Sequence, residues 1–128
     1  MQSMIKAGGI YHIALVIFHL SFWYIFNWEE DLLSLSFLNR QIMQVLNLCL
    51  TFAFVIFSYI SLVHTKELIS TSLGKSLLGF IALFWLLRAV EQAVFFTLGH
   101  WASVAFLLFF LVGMVLYAVP ALYSHRTR

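Results

Sequence analysis

The chain lacks most of the features of a water-soluble enzyme. Of its 128 residues, 9% are charged, one is a cysteine and one is a proline. A soluble domain carries roughly 25% charged residues, so an ordinary soluble fold is excluded. The lone Cys49 cannot form an internal disulfide or a CxxC redox pair. The sequence contains neither a glycine-rich phosphate loop nor a nucleophile elbow, so no enzyme class is favoured.

The chain is instead rich in apolar side chains. Hydrophobic residues make up 63% of it, and phenylalanine alone occurs 14 times. Four apolar stretches cover approximately residues 8–27, 42–63, 76–98 and 101–122. A helix of about 20 residues crosses a hydrocarbon core of about 30 Å. The sequence therefore predicts an all-α integral membrane protein, folded as one domain of residues 1–128 in an antiparallel four-helix bundle.

The basic residues predict how this bundle is oriented. Lysine and arginine are enriched in the short loops that stay in the cytoplasm. Five basic residues fall on one predicted side of the membrane: Lys6, Lys66, Lys75, Arg126 and Arg128. The opposite side holds the acidic run 29–31 and Arg40. We therefore expect both termini in the cytoplasm, with the protein in the inner membrane of a bacterium.

The aromatic residues agree with this orientation. Trp23 and Trp28 fall near the outer ends of predicted spans, whereas Tyr11 and Tyr117 fall near inner ends. Amphipathic rings prefer both membrane interfaces. Trp85 is the exception, because it lies deep in the third span. The apolar side chains of the first loop predict a segment that lies in the outer interface.

Polar side chains inside the spans predict a site. At 100° per residue, each of the first three spans places its polar residues on one face. A rise of about 1.5 Å per residue puts these groups in one layer in the outer half of the bundle. Ionisable groups at such depth are costly and often mark a functional site. We expect a ligand-binding pocket lined by His19, Gln44, Asn47, Arg88, Glu91 and Gln92.

A pocket of this kind predicts a protein that binds or transports a small or amphipathic ligand. Arg88 would hold an anionic or carbonyl group, and Glu91 would tune or exchange a proton. The alternative is a structural polar layer, since Asn, Gln and His side chains also join helices by hydrogen bonds. The protein would then be a non-catalytic accessory subunit or assembly factor of a larger membrane complex.

The expected partners follow from both interpretations. They are the lipid bilayer and either a second copy of the chain or another membrane protein. Four helices are few for a complete carrier, which favours an oligomer. No nucleic acid is expected, because the basic tail SHRTR serves as an anchor for the topology.

The histidines allow a haem alternative. His12 and His19 are seven residues apart on one face of the first span, and His64 lies close to the depth of His12. Only this one layer offers a matched pair, and no carboxylate or thiolate joins the histidines at metal-ligand spacing. We therefore predict no cofactor, and we interpret His12 as an interfacial, hydrogen-bonded side chain.

Overall fold

The computed structural model describes residues 1–123, which form helices and short connections with no strand among them. Arg126 and Arg128, which contribute to the predicted orientation, lie outside the described residues. The elements in chain order are α1 (Gln2–Leu20), α2 (Phe22–Ile25), α3 (Trp28–Asp31), a 3₁₀ turn (Leu32–Ser34), α4 (Phe37–Val63), α5 (Thr65–Ser70), α6 (Ser72–Phe95) and α7 (Trp101–Tyr123).

Four of these helices, α1, α4, α6 and α7, are long and apolar enough to cross a membrane. Their outward faces carry large exposed apolar side chains, such as Ile17, Phe52, Leu83 and Val94. A soluble protein rarely exposes apolar surface over such continuous areas, whereas lipid accommodates it. The prediction of an all-helical chain with four potential membrane-spanning helices is confirmed.

The first long helix lies earlier in the chain than the predicted span 8–27. It begins at Gln2 and continues through Lys6, whose side chain is exposed. A lysine can keep its ammonium in water while its methylene stem follows the helix surface, so Lys6 does not end the helix. As a result, Tyr11 and His12 lie near the middle of α1 and not at an interface.

The end of α1 is shaped by a side chain from α4. The Asn47 amide donates to the backbone carbonyl of His19 at 3.0 Å. The N–H of Ser21 is shared between two carbonyls of the last turn, each at 3.1 Å. A side chain that enters the backbone ladder in this way interrupts a helix. The short helix α2 follows, and Asn27 then adopts a left-handed conformation with φ of 47°.

The third long helix ends sooner than its predicted boundary at residue 98. Phe96 has an extended conformation, with φ of −115° and ψ of 136°, so α6 ends at Phe95. Arg88 therefore lies about 10 Å from the helix end at about 1.5 Å per residue. A helix that ended at residue 98 would have placed Arg88 about 15 Å from its end by the same rise.

The four long helices contact one another in a defined order. α1 packs against α4 and α7, and α6 packs against α7. The last turns of α1 contact the first half of α4 through His19 and Asn47. The last turns of α6 contact the start of α7 through Gln92 and Ser103. We call this end of the four helices the far end, and the end that carries Gln2 and Tyr123 the N-terminal end.

α4 and α6 meet mainly through aromatic rings, and their backbones stay farther apart than those of the other neighbouring pairs. Phe54 of α4 stacks on Trp85 of α6, with centroids 5.6 Å apart and planes within 11°. Trp85 stacks in turn on Phe110 of α7 at 5.8 Å. These three rings, which we call the aromatic layer, cross the interior of the bundle. Each is at most 6% exposed.

Two glycines allow close helix contacts in the interior. A Cβ on Gly8 of α1 would lie 2.6 Å from the ring of Tyr117 in α7. A Cβ on Gly113 would lie 2.7 Å from the Tyr11 hydroxyl oxygen. Both distances are shorter than a van der Waals contact, so α1 and α7 can approach this closely only because side chains are absent here.

The tight contact at Gly8 leads to a first prediction. We expect Gly8→Ala to lower the free energy of unfolding by about 1–3 kcal/mol, the usual cost of overpacking. Gly79→Ala is the matched control, since a Cβ there meets nothing within 4 Å. Thermal unfolding in detergent would measure both variants. Equal melting temperatures for the two variants would contradict this packing.

Candidate functional site

Asn47 of α4 holds the predicted site residue His19 of α1 in place. Asn47 Nδ2 donates to the backbone carbonyl of His19, so Asn47 Oδ1 is free to accept from the ring Nδ1–H of the same histidine at 2.8 Å. Asn47 is 6% exposed. This double contact places the proton of neutral His19 on Nδ1. The Nε2 lone pair of His19 therefore has no partner within residues 1–123.

Gln44 lies one helical turn from Asn47, closer to the far end. Its Oε1 accepts from the Trp23 indole at 3.3 Å, and its Nε2 donates to the backbone carbonyl of Arg40 at 3.2 Å. Gln44 lines a cavity of about 480 Å³ at the far end. Both ends of the Gln44 amide are thus used within the chain, and the amide serves to fix the wall of this cavity.

The predicted site residues on α6 form a second group. Gln92 is 3% exposed, donates to Ser103 Oγ at 3.0 Å and accepts from Arg88 Nη2 at 3.3 Å. Arg88 Nη1 lies 3.9 Å from Glu91 Oε2, which is too long for a hydrogen bond. The Arg88 and Glu91 side chains are 30% and 44% exposed. Arg88 and Glu91 therefore remain partly accessible from outside the bundle, whereas Gln92 is buried.

The Arg88 guanidinium points toward the bundle interior. Its Cζ lies 4.4 Å from the ring centroid of Phe110, a distance typical of a cation–π contact. Arg88 also follows Phe84 by one turn, and Phe84 contacts the α4 rings of Phe54 and Phe57. Arg88 thus lies one turn from the α6 side chain that contacts α4. It lies close enough to His19 for an electrostatic interaction.

The six predicted site residues therefore fall into two groups on either side of the α4–α6 contact. His19 and Asn47 are joined across α1 and α4, and Gln44 lies one turn away on α4 with Trp23 and Arg40 as its partners. Arg88, Glu91 and Gln92 are joined on α6. Each of the three amides has a protein partner at both its oxygen and its nitrogen. Arg88, Glu91 and His19 are less completely paired, and they lie in the same layer of the bundle.

A second polar cluster, which the sequence did not predict, lies toward the N-terminal end. His12, Trp85, Tyr117 and Ser61 each come from a different long helix, and each is at most 1% exposed. The Trp85 indole donates to His12 Nε2 at 3.2 Å. The Tyr117 hydroxyl lies 3.0 Å from His12 Nδ1 and 2.8 Å from Ser61 Oγ. We call these four residues the inner network.

The donors of the inner network determine its proton positions. An indole N–H can only donate, so His12 Nε2 accepts and the ring proton is on Nδ1. That proton is directed at the carbonyl of Gly8, 2.8 Å away, and at the Tyr117 oxygen. The Tyr117 hydroxyl is then free to donate to Ser61. Each of the four side chains therefore has at least one hydrogen-bond partner in the network, which joins all four long helices.

This arrangement bears on the haem alternative. Neither ring nitrogen of His12 is free, so His12 does not fit an axial ligand. His19 uses Nδ1 for Asn47, and His64 lies in the connection between α4 and α5 beside the ring of Tyr59. Within the described residues, no three His, Cys, Asp or Glu side chains are grouped to hold a metal ion.

Two signals in the sequence pointed to the inner network. Trp85 is an indole deep in a span, where its N–H needs an acceptor. His12 lies on the same face of α1 as His19. The interfacial interpretation of His12 and Tyr11 depended on a first span starting at residue 8. Since α1 starts at Gln2, His12 lies in the middle of the helix, where Trp85 can reach it.

The inner network leads to a second prediction. Tyr117→Phe removes the hydroxyl that contacts both His12 and Ser61, and leaves a buried serine without this partner. We expect the free energy of unfolding to fall by about 1–3 kcal/mol. Tyr24→Phe is the matched control, because Tyr24 is 92% exposed. If denaturation in detergent gave the same midpoint for both variants, the network would have no role in stability.

The structure thus contains a closed polar network and a partly open polar layer, separated by the aromatic layer. His12 contacts Phe54 and Trp85 from one side, and His19 contacts Phe54 from the other. Arg88 contacts Phe110. No model of a protein family, no curated protein and no solved structure matches the chain.

Proposed function

We propose that the protein binds the anionic or carbonyl-bearing head of a small or amphipathic molecule at Arg88, between α4 and α6. The observation that carries this proposal is that several N–H donors of the Arg88 guanidinium have no hydrogen-bond partner within the described residues. Within residues 1–123 it makes one hydrogen bond, to Gln92, and one longer ion pair, to Glu91. An arginine has several further N–H donors arranged in a planar fork.

The energetic argument is the high cost of unpaired donors away from water. An unsatisfied polar group in a hydrocarbon region costs several kcal/mol. Stacking on Phe110 covers one face of the guanidinium and leaves its edge available for in-plane hydrogen bonds. A phosphate, carboxylate or carbonyl oxygen placed at this edge would satisfy the remaining donors and bind with a defined orientation.

His19 and Glu91 would complete such a site. The Nε2 lone pair of His19 accepts a proton or a hydrogen bond, so it suits a ligand with a hydroxyl or amine next to its anionic group. Glu91 is partly exposed beside Arg88 and can accept from the same kind of group. The backbone separation of α4 and α6 would let an amphipathic molecule approach laterally, along the lipid-facing surface.

The proposal includes a membrane topology. We propose an antiparallel bundle in the inner membrane of a bacterium, with both termini in the cytoplasm and the far end outside. The contacts of His19 with Asn47, and of Gln92 with Ser103, support this arrangement. Lys66 lies at the proposed cytoplasmic side, whereas Glu29 and Glu30 lie at the other, as the distribution of basic residues favours.

A second candidate function is that of an accessory subunit or assembly factor. It is favoured by the bonds of Asn47, Gln44 and Gln92, each of which has a partner within the chain at both its oxygen and its nitrogen, as a structural layer would. In that case the acceptor for Arg88 would come from a helix of a second copy or of another membrane protein. The exposed Glu91 carboxylate could take part in the same contact.

The Arg88 site leads to a third prediction. We expect the protein to prefer spin-labelled phosphatidylglycerol over phosphatidylcholine in bilayers, as measured by the fraction of immobilised lipid. Arg88→Gln should lower this preference by about tenfold or more, since a charge-assisted hydrogen bond contributes roughly 1.5–3 kcal/mol. Arg88→Lys should give an intermediate value, because it keeps the charge and loses the planar fork.

Lys66→Gln serves as the control, since it removes one positive charge at an exposed position outside the site. A preference that is unchanged in Arg88→Gln would contradict lipid binding at Arg88. If Arg88→Gln instead releases a partner chain that co-purifies with the native protein in mild detergent, the accessory function is the correct one.

The topology leads to a fourth prediction, tested by labelling in spheroplasts. In a Cys49→Ser background, we expect His100→Cys to react with a membrane-impermeant maleimide, because this residue would face outward. Ser70→Cys should react only after the membrane is permeabilised. Labelling in the reverse order would show that the protein is inserted with its termini outside.

A further inference from the structure

The cavity at the far end has a wall of unusual composition. It has a volume of about 480 Å³ and lies between the segment α2–α3 and the start of α4. It is lined by Trp23, Trp28, Glu29, Leu32, Arg40 and Gln44, together with a second leucine. A carboxylate, a guanidinium and two indoles therefore face one space at the end of a membrane-type bundle.

The two charges in this cavity are not paired with each other. Glu29 and Arg40 both line it, yet Arg88–Glu91 is the one ion pair formed within the described part of the chain. Arg40 uses its Nε to donate to the backbone carbonyl of Leu32 at 3.1 Å. This bond orients the guanidinium and leaves the outer nitrogens for another acceptor.

The neighbouring carboxylate, that of Glu30, differs from Glu29 in its contacts. Glu30 Oε2 accepts from the Asn27 side chain at 3.0 Å and is absent from the cavity wall. Glu29 has no such partner among residues 1–123. The short helix α3 thus directs one acidic side chain into the cavity and ties the next one to the preceding turn.

The indoles give the cavity a place for a cation. Trp23 and Trp28 pack edge to face, with centroids 5.0 Å apart and planes at 69°, so the two rings form a corner. The bond from the Trp23 N–H to Gln44 fixes one wall of this corner. Tryptophan faces attract ammonium groups, and aromatic corners of this kind bind substituted ammonium ions.

We infer that this cavity binds a zwitterion, with its ammonium between the indoles and Glu29 and its phosphate or carboxylate on Arg40. A cation alone would leave Arg40 unmatched, and an anion alone would leave Glu29 unmatched. One molecule that carries both charges satisfies the two side chains together. The inference is independent of Arg88, which lies on α6 and does not line the cavity.

Two sources can supply this chemistry, a phospholipid headgroup and a free zwitterionic solute. Leu33, the second leucine of the lining, is 62% exposed, and Phe37 at the start of α4 is 74% exposed, so both provide apolar surface for acyl chains. Titration of the protein in maltoside micelles, read by tryptophan fluorescence, separates the sources. Phosphatidylethanolamine tests the lipid, and glycerophosphoethanolamine tests the soluble headgroup.

The titrations are made with the Arg88→Gln protein, so that anion binding at the site on α6 does not contribute to the fluorescence change. We expect a saturable fluorescence change with phosphatidylethanolamine and little change with phosphatidylglycerol, which has no ammonium. Glu29→Gln should weaken binding about tenfold and reduce the preference between the two lipids. Arg40→Gln should weaken binding by a similar factor.

Glu30→Gln is the matched control and should bind like its parent. A response to the soluble headgroup as strong as that to the lipid would assign the site to free zwitterions, and a response to the lipid alone would assign it to the bilayer. Equal binding of both lipids, or equal losses in Glu29→Gln and Glu30→Gln, would overturn the inference. Retained thermal unfolding transitions would confirm that each variant is folded.

Discussion

The hydrogen bond from the Trp85 indole to His12 Nε2 is the contact on which the interior of this bundle depends. In a hydrocarbon environment, neither the indole N–H nor the imidazole lone pair has water as an alternative partner. Each helix rotation that separates the two groups leaves both unpaired. Tyr117 and Ser61 extend the same constraint to α7 and α4. Apolar contacts alone would leave the four helices free to rotate against one another. The hydrogen bonds of the inner network fix their rotation and register.

The aromatic layer determines what the rest of the bundle can do. Phe54, Trp85 and Phe110 are nearly parallel and buried, and they fill the space between α4, α6 and α7. On the N-terminal side, every polar group of the inner network has a partner in the chain. On the far side, the layer supports Arg88 and His19, whose pairing is incomplete. The paired groups of the inner network stabilise the bundle, whereas the incompletely paired Arg88 and His19 are the groups to which the proposed ligand would bind.

The sequence was sufficient to predict the helical class and the four long apolar helices, because span length and hydropathy depend only on local composition. It also placed six polar residues in one layer from helical face and depth, and two pairs within that set, His19 with Asn47 and Arg88 with Gln92, are hydrogen-bonded. Helix ends were less predictable. The end of α1 depends on Asn47, which is 28 residues away from His19 in the chain.

The cavity and the inner network were missed for the same physical reason. Both are assembled from side chains whose depth depends on those helix ends. A first span starting at residue 8 puts His12 near an interface, whereas a helix from Gln2 puts it beside Trp85. Likewise, Trp23 and Trp28 belong to separate short helices, and their corner exists only because Asn27 turns the chain with a positive φ.

The two far-end sites differ in how they must recognise charge. The cavity opens beside the acidic run 29–31, which repels a bare anion and makes a ligand of zero net charge the better match for Arg40. Arg88 lies about 10 Å below the end of its helix, over an aromatic ring and away from most of that acidic field. Under the two proposals, an anionic oxygen would approach Arg88 between α4 and α6, whereas the cavity would select molecules that carry both signs of charge.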